Sequence, residues 1–207
     1  MIWESQPFKA DLLKRAAALR RRGDQRRWPR TSLIHVEQDL MLGFYSIRKL
    51  REARKLSESV ANRVVTLSRF PPNPPLNVNH LNWHHLDRHY SLQHMTRCRK
   101  QLHYVCNQVI HSYIVIPAFT AIGGLDGFLF VSDRDRSAGL WKVDLSEVVS
   151  IFEQIALDEV LESRARWDSV RGDYVVSNSE FIEPQGSVAA AANSDPCNEQ
   201  LPTRNHC

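Results

Sequence analysis

Residues 93–116 read QHMTRCRKQLHYVCNQVIHSYIVI. Cys98, Leu102, Val105, Cys106, Val109, Tyr113 and Ile116 recur at steps of three and four, and at about 100° per residue they fall within roughly 100° of arc. The spacing predicts one amphipathic helix with a narrow apolar stripe. It stops as Pro117 approaches, because a proline has no N–H and clashes with the preceding turn. This reading makes the chain a mainly helical protein.

Working outward, residues 9–22 place Leu12, Leu13, Ala16, Ala17 and Leu19 at helical spacing, with Pro7 suited to the first turn and Gly23 to the stop. Thr31 or Ser32 can cap a second helix carrying Leu33, Val36, Leu40, Phe44, Ile47 and Leu50 on one face as far as Lys55. From Asn62 the period changes, and Val64, Val65 and Leu67 predict a short strand. The prolines of residues 70–75 then make a stiff loop, although 72–75 also matches P-x-x-P.

Downstream of the opening stretch, residues 128–131 and 140–143 are two short apolar runs separated by a charged turn, the pattern of a β-hairpin. Ser146 opens a further helix bearing Val148, Ile151, Phe152, Ile155 and Leu157 and reaching Leu161, and residues 174–182 add a strand. The expected fold is α+β: a mainly helical bundle of about four helices with a small antiparallel hairpin or sheet. It forms one domain over residues 1–182. Residues 183–207 have almost no large apolar side chain, cannot offset their ordering entropy, and are expected to be a disordered tail.

Composition agrees with an ordinary globular domain. Apolar residues are 43% and charged residues 24% of 207, which excludes fibrous and wholly disordered chains. Residues 1–8, MIWESQPF, lack a basic start followed by an apolar run, so a cytoplasmic protein is expected. Residues 113–131 are apolar, but Pro117, Gly123, Gly124, Asp126 and Gly127 interrupt them within the length a bilayer requires; no membrane partner is expected. Cys98, Cys106, Cys197 and Cys207 form no C-x-x-C pair, which argues against a disulfide framework or zinc ribbon. G-x-G-x-x-G, Walker A and G-x-S-x-G motifs are absent.

The net charge of +4 is unevenly spread, since residues 1–60 hold 14 Lys or Arg against 7 Asp or Glu. Eight of those basic residues stand between Lys14 and Arg30, with Asp24 as the single acid. Arg20, Arg21, Arg22, Arg26 and Arg27 are the candidate contacts to a phosphate backbone, or to an acidic protein surface. Seven of nine histidines lie between His80 and His111. His80 with His84, and His85 with His89, have the i, i+4 spacing a zinc site can use. No carboxylate or cysteine stands at a matching offset, so these are expected to be surface or loop histidines, with no metal and no cofactor.

Residues 106–113, CNQVIHSY, resemble the signature of HEPN domains, helical bundles in which R-N-x-x-x-H lies on a late helix. Asn107 and His111 match that pattern, and Tyr113 follows as an aromatic often does. Cys106 stands where the family has Arg. The resemblance implies metal-independent RNA cleavage with His111 as general base toward the ribose 2′-hydroxyl, Asn107 beside it, and an arginine stabilising the phosphate, often across a two-fold homodimer. Histidine suits the task because its ordinary pKa lies near neutrality. On one helix Asn107 and His111 point away from the apolar stripe. Arg99, twelve residues before His111, would lie about 18 Å along the axis and would reach the site only from a second subunit.

With Cys106 in the arginine position, the leading expectation is a HEPN-like, catalytically degenerate module that binds RNA or a protein partner. One alternative is an active metal-independent endoribonuclease using His111 with an arginine other than the motif's own. Another is a protein-interaction domain with a basic docking helix.

Overall fold

The computed structural model describes residues 2–180. The expected tail, 183–207, and the last residues of the expected domain and final strand lie outside the described residues. The order of elements is α1 (Gln6–Arg22), α2 (Arg30–Glu52), α3 (Glu58–Ala61), β1 (Val64–Phe70), α4 (Leu86–His89), β2 (Thr96–Gln101), α5 (Leu102–Ile110), β3 (Ser112–Phe119), β4 (Leu125–Ser132), β5 (Leu140–Asp144), α6 (Leu145–Leu157), β6 (Glu162–Asp168) and β7 (Asp173–Ser179).

The frame is an antiparallel five-stranded sheet in the order β2-β1-β5-β4-β3, with a separate two-stranded ribbon β6-β7. Helices take 39% and strands 28% of the described residues. The expected helical bundle with a small hairpin is therefore corrected to a sheet-centred α+β fold. The difference arises in residues 93–116, which form no continuous helix: they split into β2, α5 and the start of β3. Leu102, Val105, Cys106 and Val109 do make a helical stripe, all buried. Cys98 joins it because the step of four to Leu102 keeps the face across the strand–helix boundary, whereas Tyr113 and Ile116 continue the spacing only in sequence: they lie on β3 and pack in a second apolar cluster with Ile114 and Val131. Ahead of the stripe, β2 has the alternating burial of an edge strand, and after it Ile114, Val115 and Ile116 bring the β-branched character that favours a pleated surface.

β4 lies inside the sheet with apolar neighbours on both faces. Phe128 and Phe130 belong to the main core with α1, α2, α5 and α6, whereas Val131 and Leu129 pack on the other side with Phe70, Val78, Tyr90, Ile114 and Leu140. That second face is covered by the long β1-to-β2 connection. The Tyr90 phenol is buried there, donates to the Arg136 carbonyl at 2.9 Å, and is pushed up to about 12 by burial. The β4-β5 hairpin pairs Phe128 with Val143 and Phe130 with Trp141. On the helical side, α2 and α6 meet at Gly43, where an added Cβ would overlap the Phe152 ring, and Phe44 meets Phe152 edge to face at 5.5 Å between centroids.

Candidate functional site

α5 is a nine-residue helix ending at the C-cap His111, whose N–H donates to the Asn107 carbonyl at 3.1 Å. Four residues on one side of it are buried, so Asn107 and His111 are left at the surface. The residue facing His111 comes from α2: Arg48 Nη1 lies 3.1 Å from His111 Nε2. A guanidinium can only donate, so the contact makes Nε2 the acceptor and puts the ring proton on Nδ1. Arg48 is aimed by Glu52 one turn on, which accepts from its Nε at 2.7 Å. Hydrogen bonds from Lys49 and Arg48 hold the Glu52 carboxyl down to about 2.

Opposite stands the β4-β5 turn. Gln108, buried on α5, accepts from the Ser132 N–H at 3.0 Å and donates to Asp135 at 2.5 Å, while the Asp133 N–H donates to the His111 carbonyl at 3.3 Å. Burial and then Asp135 push the Tyr104 phenol up, which keeps it a donor toward that carboxylate. Arg48, Tyr104, Asn107, His111, Asp133 and Arg134 thus surround an open polar groove of about 680 Å³. Asp133 is paired with Arg136 at 3.5 Å and Arg48 with Glu52 at 2.7 Å, while Asp135 accepts from the neutral Gln108 amide and keeps its charge, so cationic and anionic side chains share the rim with Arg134.

The expected site residues fall in three places. Asn107 and His111 share the groove. Cys106, in the family's arginine position, points the opposite way into the core, and burial pushes its thiol up to about 12; it is an uncharged core side chain. Arg99 is on β2, across from Thr66, and is not among the groove's residues. The Arg99-to-His111 helical ladder is absent because strand and helix meet at Gln101.

The basic residues form a second surface. Arg20, Arg21 and Arg22 occupy the last turn of α1, where they also oppose the helix dipole. Arg20 pairs with Glu153 at 2.6 Å, Arg22 donates to Gln25, and Arg26 donates to the Gly23 carbonyl at 3.2 Å. Arg21 and Arg27 are exposed. Trp28 anchors this stretch: its indole N–H donates to the Gly123 carbonyl at 2.7 Å, and its ring meets Phe119 at 4.8 Å. His111 directly precedes β3 and Phe119 ends it. The groove and the arginine surface therefore stand at opposite ends of one eight-residue strand, about 25 Å apart along its axis.

Sequence reasoning missed Arg48. Its i, i+4 pairing with Glu52 was legible on α2, but its contact with His111 spans 63 residues and needs α2 packed against α5. The histidine-rich segment is part of the β1-to-β2 connection and of α4. His89 is buried and bonds the Asn82 carbonyl at 3.0 Å, while His84 and His85 lie ring to ring at 4.1 Å. No group of three or more His, Cys, Asp or Glu able to hold a metal occurs among the described residues. No helix among them is long and apolar enough to cross a membrane. No family model, curated protein or solved structure matches the chain.

Proposed function

We propose that the protein binds single-stranded RNA, with one phosphodiester held at the Arg48–His111 groove and further phosphates along the arginine surface of residues 20–27. The observation that carries this reading is the guanidinium 3.1 Å from an imidazole nitrogen on an open polar groove. A phosphate oxygen competes for the same guanidinium donors, which form stronger hydrogen bonds to an anion than to a neutral ring. The reading keeps the RNA chemistry that the resemblance to HEPN domains implies and rests it on Arg48 instead of residue 106.

The same geometry favours a second reading, metal-independent cleavage. When phosphate draws Arg48 away, Nε2 is a free acceptor for the ribose 2′-hydroxyl proton. The 2′-oxygen then bonds to phosphorus, the bond to the 5′-oxygen breaks, that oxygen takes a proton from water, and Arg48 stabilises the charge on the phosphoryl oxygens.

The test is titration of a labelled RNA oligomer across a salt series, with cleavage assayed in EDTA. Arg48→Ala should weaken binding, and Ala at Arg20, Arg21, Arg22, Arg26 and Arg27 should make the log–log salt slope shallower by up to about 0.7 for each phosphate of a single strand that is no longer neutralised. Cleavage abolished in His111→Ala, with a rate lower by about 10² to 10⁴, would establish the second reading. Wild-type protein that neither binds nor cleaves RNA would overturn both and leave an acidic protein as the partner of the basic helix.

A further inference from the structure

The arginine surface adjoins an exposed aromatic ring. Phe119 ends β3 and is 41% accessible. Trp28 meets it at an interplanar angle of 62°, and such an edge-to-face contact takes up at most one of the two faces of a ring. The segments on either side are both fixed. Thr120 donates its N–H to the Gly124 carbonyl at 2.8 Å and accepts the Gly124 N–H on its hydroxyl at 3.0 Å, which closes the β3-to-β4 turn. Gln25 accepts from Arg22 and donates to the Arg27 carbonyl at 2.5 Å, which closes the arginine segment. The two are clamped together at Gly124, where an added Cβ would overlap the Gly23 carbonyl and the Arg26 guanidinium, and again where Trp28 bonds the Gly123 carbonyl. The ring is therefore part of one rigid unit with Arg26, and the guanidinium groups of Arg21 and Arg27 on the same surface have no partner among the described residues.

From this arrangement we infer that Phe119 stacks a base of the bound strand and is the residue that selects unpaired RNA at the arginine surface. The inference rests on the RNA reading above. Arginines meet phosphates in a duplex and in a single strand alike, so charge alone does not discriminate between them. A base inside a duplex has its faces covered by its neighbours, whereas an unpaired base has a face free to lie on an aromatic ring beside a basic surface. Every base has such a face, so the preference is for strand form and not for sequence.

The experiment titrates the full chain with a labelled oligouridine strand and with an RNA duplex of the same length across a salt series. Phe119→Ala should weaken single-strand binding by about 5- to 100-fold with the log–log salt slope unchanged, since no phosphate contact is lost, and should leave duplex affinity at the wild-type value. Phe119→Leu keeps apolar bulk against Trp28 but has no π face, so it should bind the single strand as weakly as the Ala variant, and Phe119→Trp should bind it as the wild type does. If Phe119→Ala fails to fold, the Leu variant carries the comparison. Single-strand affinity equal to wild type in the Ala or Leu variant, or duplex affinity that falls in parallel, would overturn the inference and leave the RNA reading standing. Wild-type protein that binds neither RNA would overturn both together, and polyglutamate bound in their place would assign the surface to an acidic protein.

Discussion

β4 and β7 are both antiparallel strands with aromatic or β-branched residues, yet they are held in place by different things. β4 is buried on both faces between two apolar clusters and paired on both edges. β7 is paired on one edge, and its buried residue is Asn178 at the base. The comparison shows that strand character in the sequence does not say whether the strand is anchored by packing or by a few polar bonds. The two regions should accordingly unfold with different cooperativity.

The largest effect is expected in the packed region. Phe130→Ala removes a fully buried ring from the main core and should cost about 3–5 kcal/mol, read as a lowered denaturant midpoint for the whole chain. If Phe130→Ala were tolerated within experimental error, β4 could not be the packed centre that separates it from β7. Gly43→Ala probes the same side by overpacking: the added methyl has to displace the Phe152 ring between α2 and α6, with an expected destabilisation of about 1–3 kcal/mol. An unchanged melting temperature would mean that the two helices can part without penalty.

Asn178→Ala tests the polar anchor. The Asn178 amide donates to the Arg54 carbonyl at 2.8 Å and the Leu56 carbonyl at 3.0 Å, and its oxygen accepts from Ser163 at 2.8 Å. Leaving such buried groups unmet costs about 1–3 kcal/mol, but here the effect should be local. Hydrogen exchange should rise in β6 and β7 while β4 stays protected. An equal fall of protection in β4 would show that ribbon and sheet unfold as one unit.

The same contrast explains what was legible in the sequence. α1, α2 and α6 stand where hydrophobic spacing put them, because each has a long stretch of one period, although α6 stops at Leu157 and not at the expected Leu161; the β4-β5 hairpin was legible from two short apolar runs around a charged turn. Residues 93–116 misled because three short elements abut with no Gly or Pro between them, and steps of four let a strand residue continue a helical stripe. The edge position of β2 is a matter of topology and depends on a partner, β1, some thirty residues away in sequence. At the candidate site, the surface placement of Asn107 and His111 was readable from the stripe of α5. Arg48 was not, since its meeting with His111 is produced by tertiary packing. The groove wall at Asp133 and Asp135 looked like an ordinary charged turn for the same reason.

The smallest effect expected is a pH dependence confined to the ribbon. Glu180 follows β7 and accepts from the hydroxyls of Ser57, at 2.8 Å, and Ser59, which fastens the end of the ribbon beside α3. Those bonds, Ser59 first, lower the Glu180 carboxyl below its usual 4.5. A carboxyl lowered in the folded state contributes stability that is present above its unfolded value and is lost as pH falls through the folded one. The ribbon should thus hold constant protection from pH 8 to about 5 and loosen below 4.5, with intrinsic exchange corrected for pH. Because the carboxylate is exposed, the change should be modest and restricted to β6 and β7. Glu180→Gln keeps the shape and removes the titration, so its ribbon protection should be lower than wild type above 4.5 and nearly flat with pH. A variant that loosens below 4.5 as the wild type does would assign the pH response to another carboxylate and leave Asn178 as the ribbon's chief polar anchor.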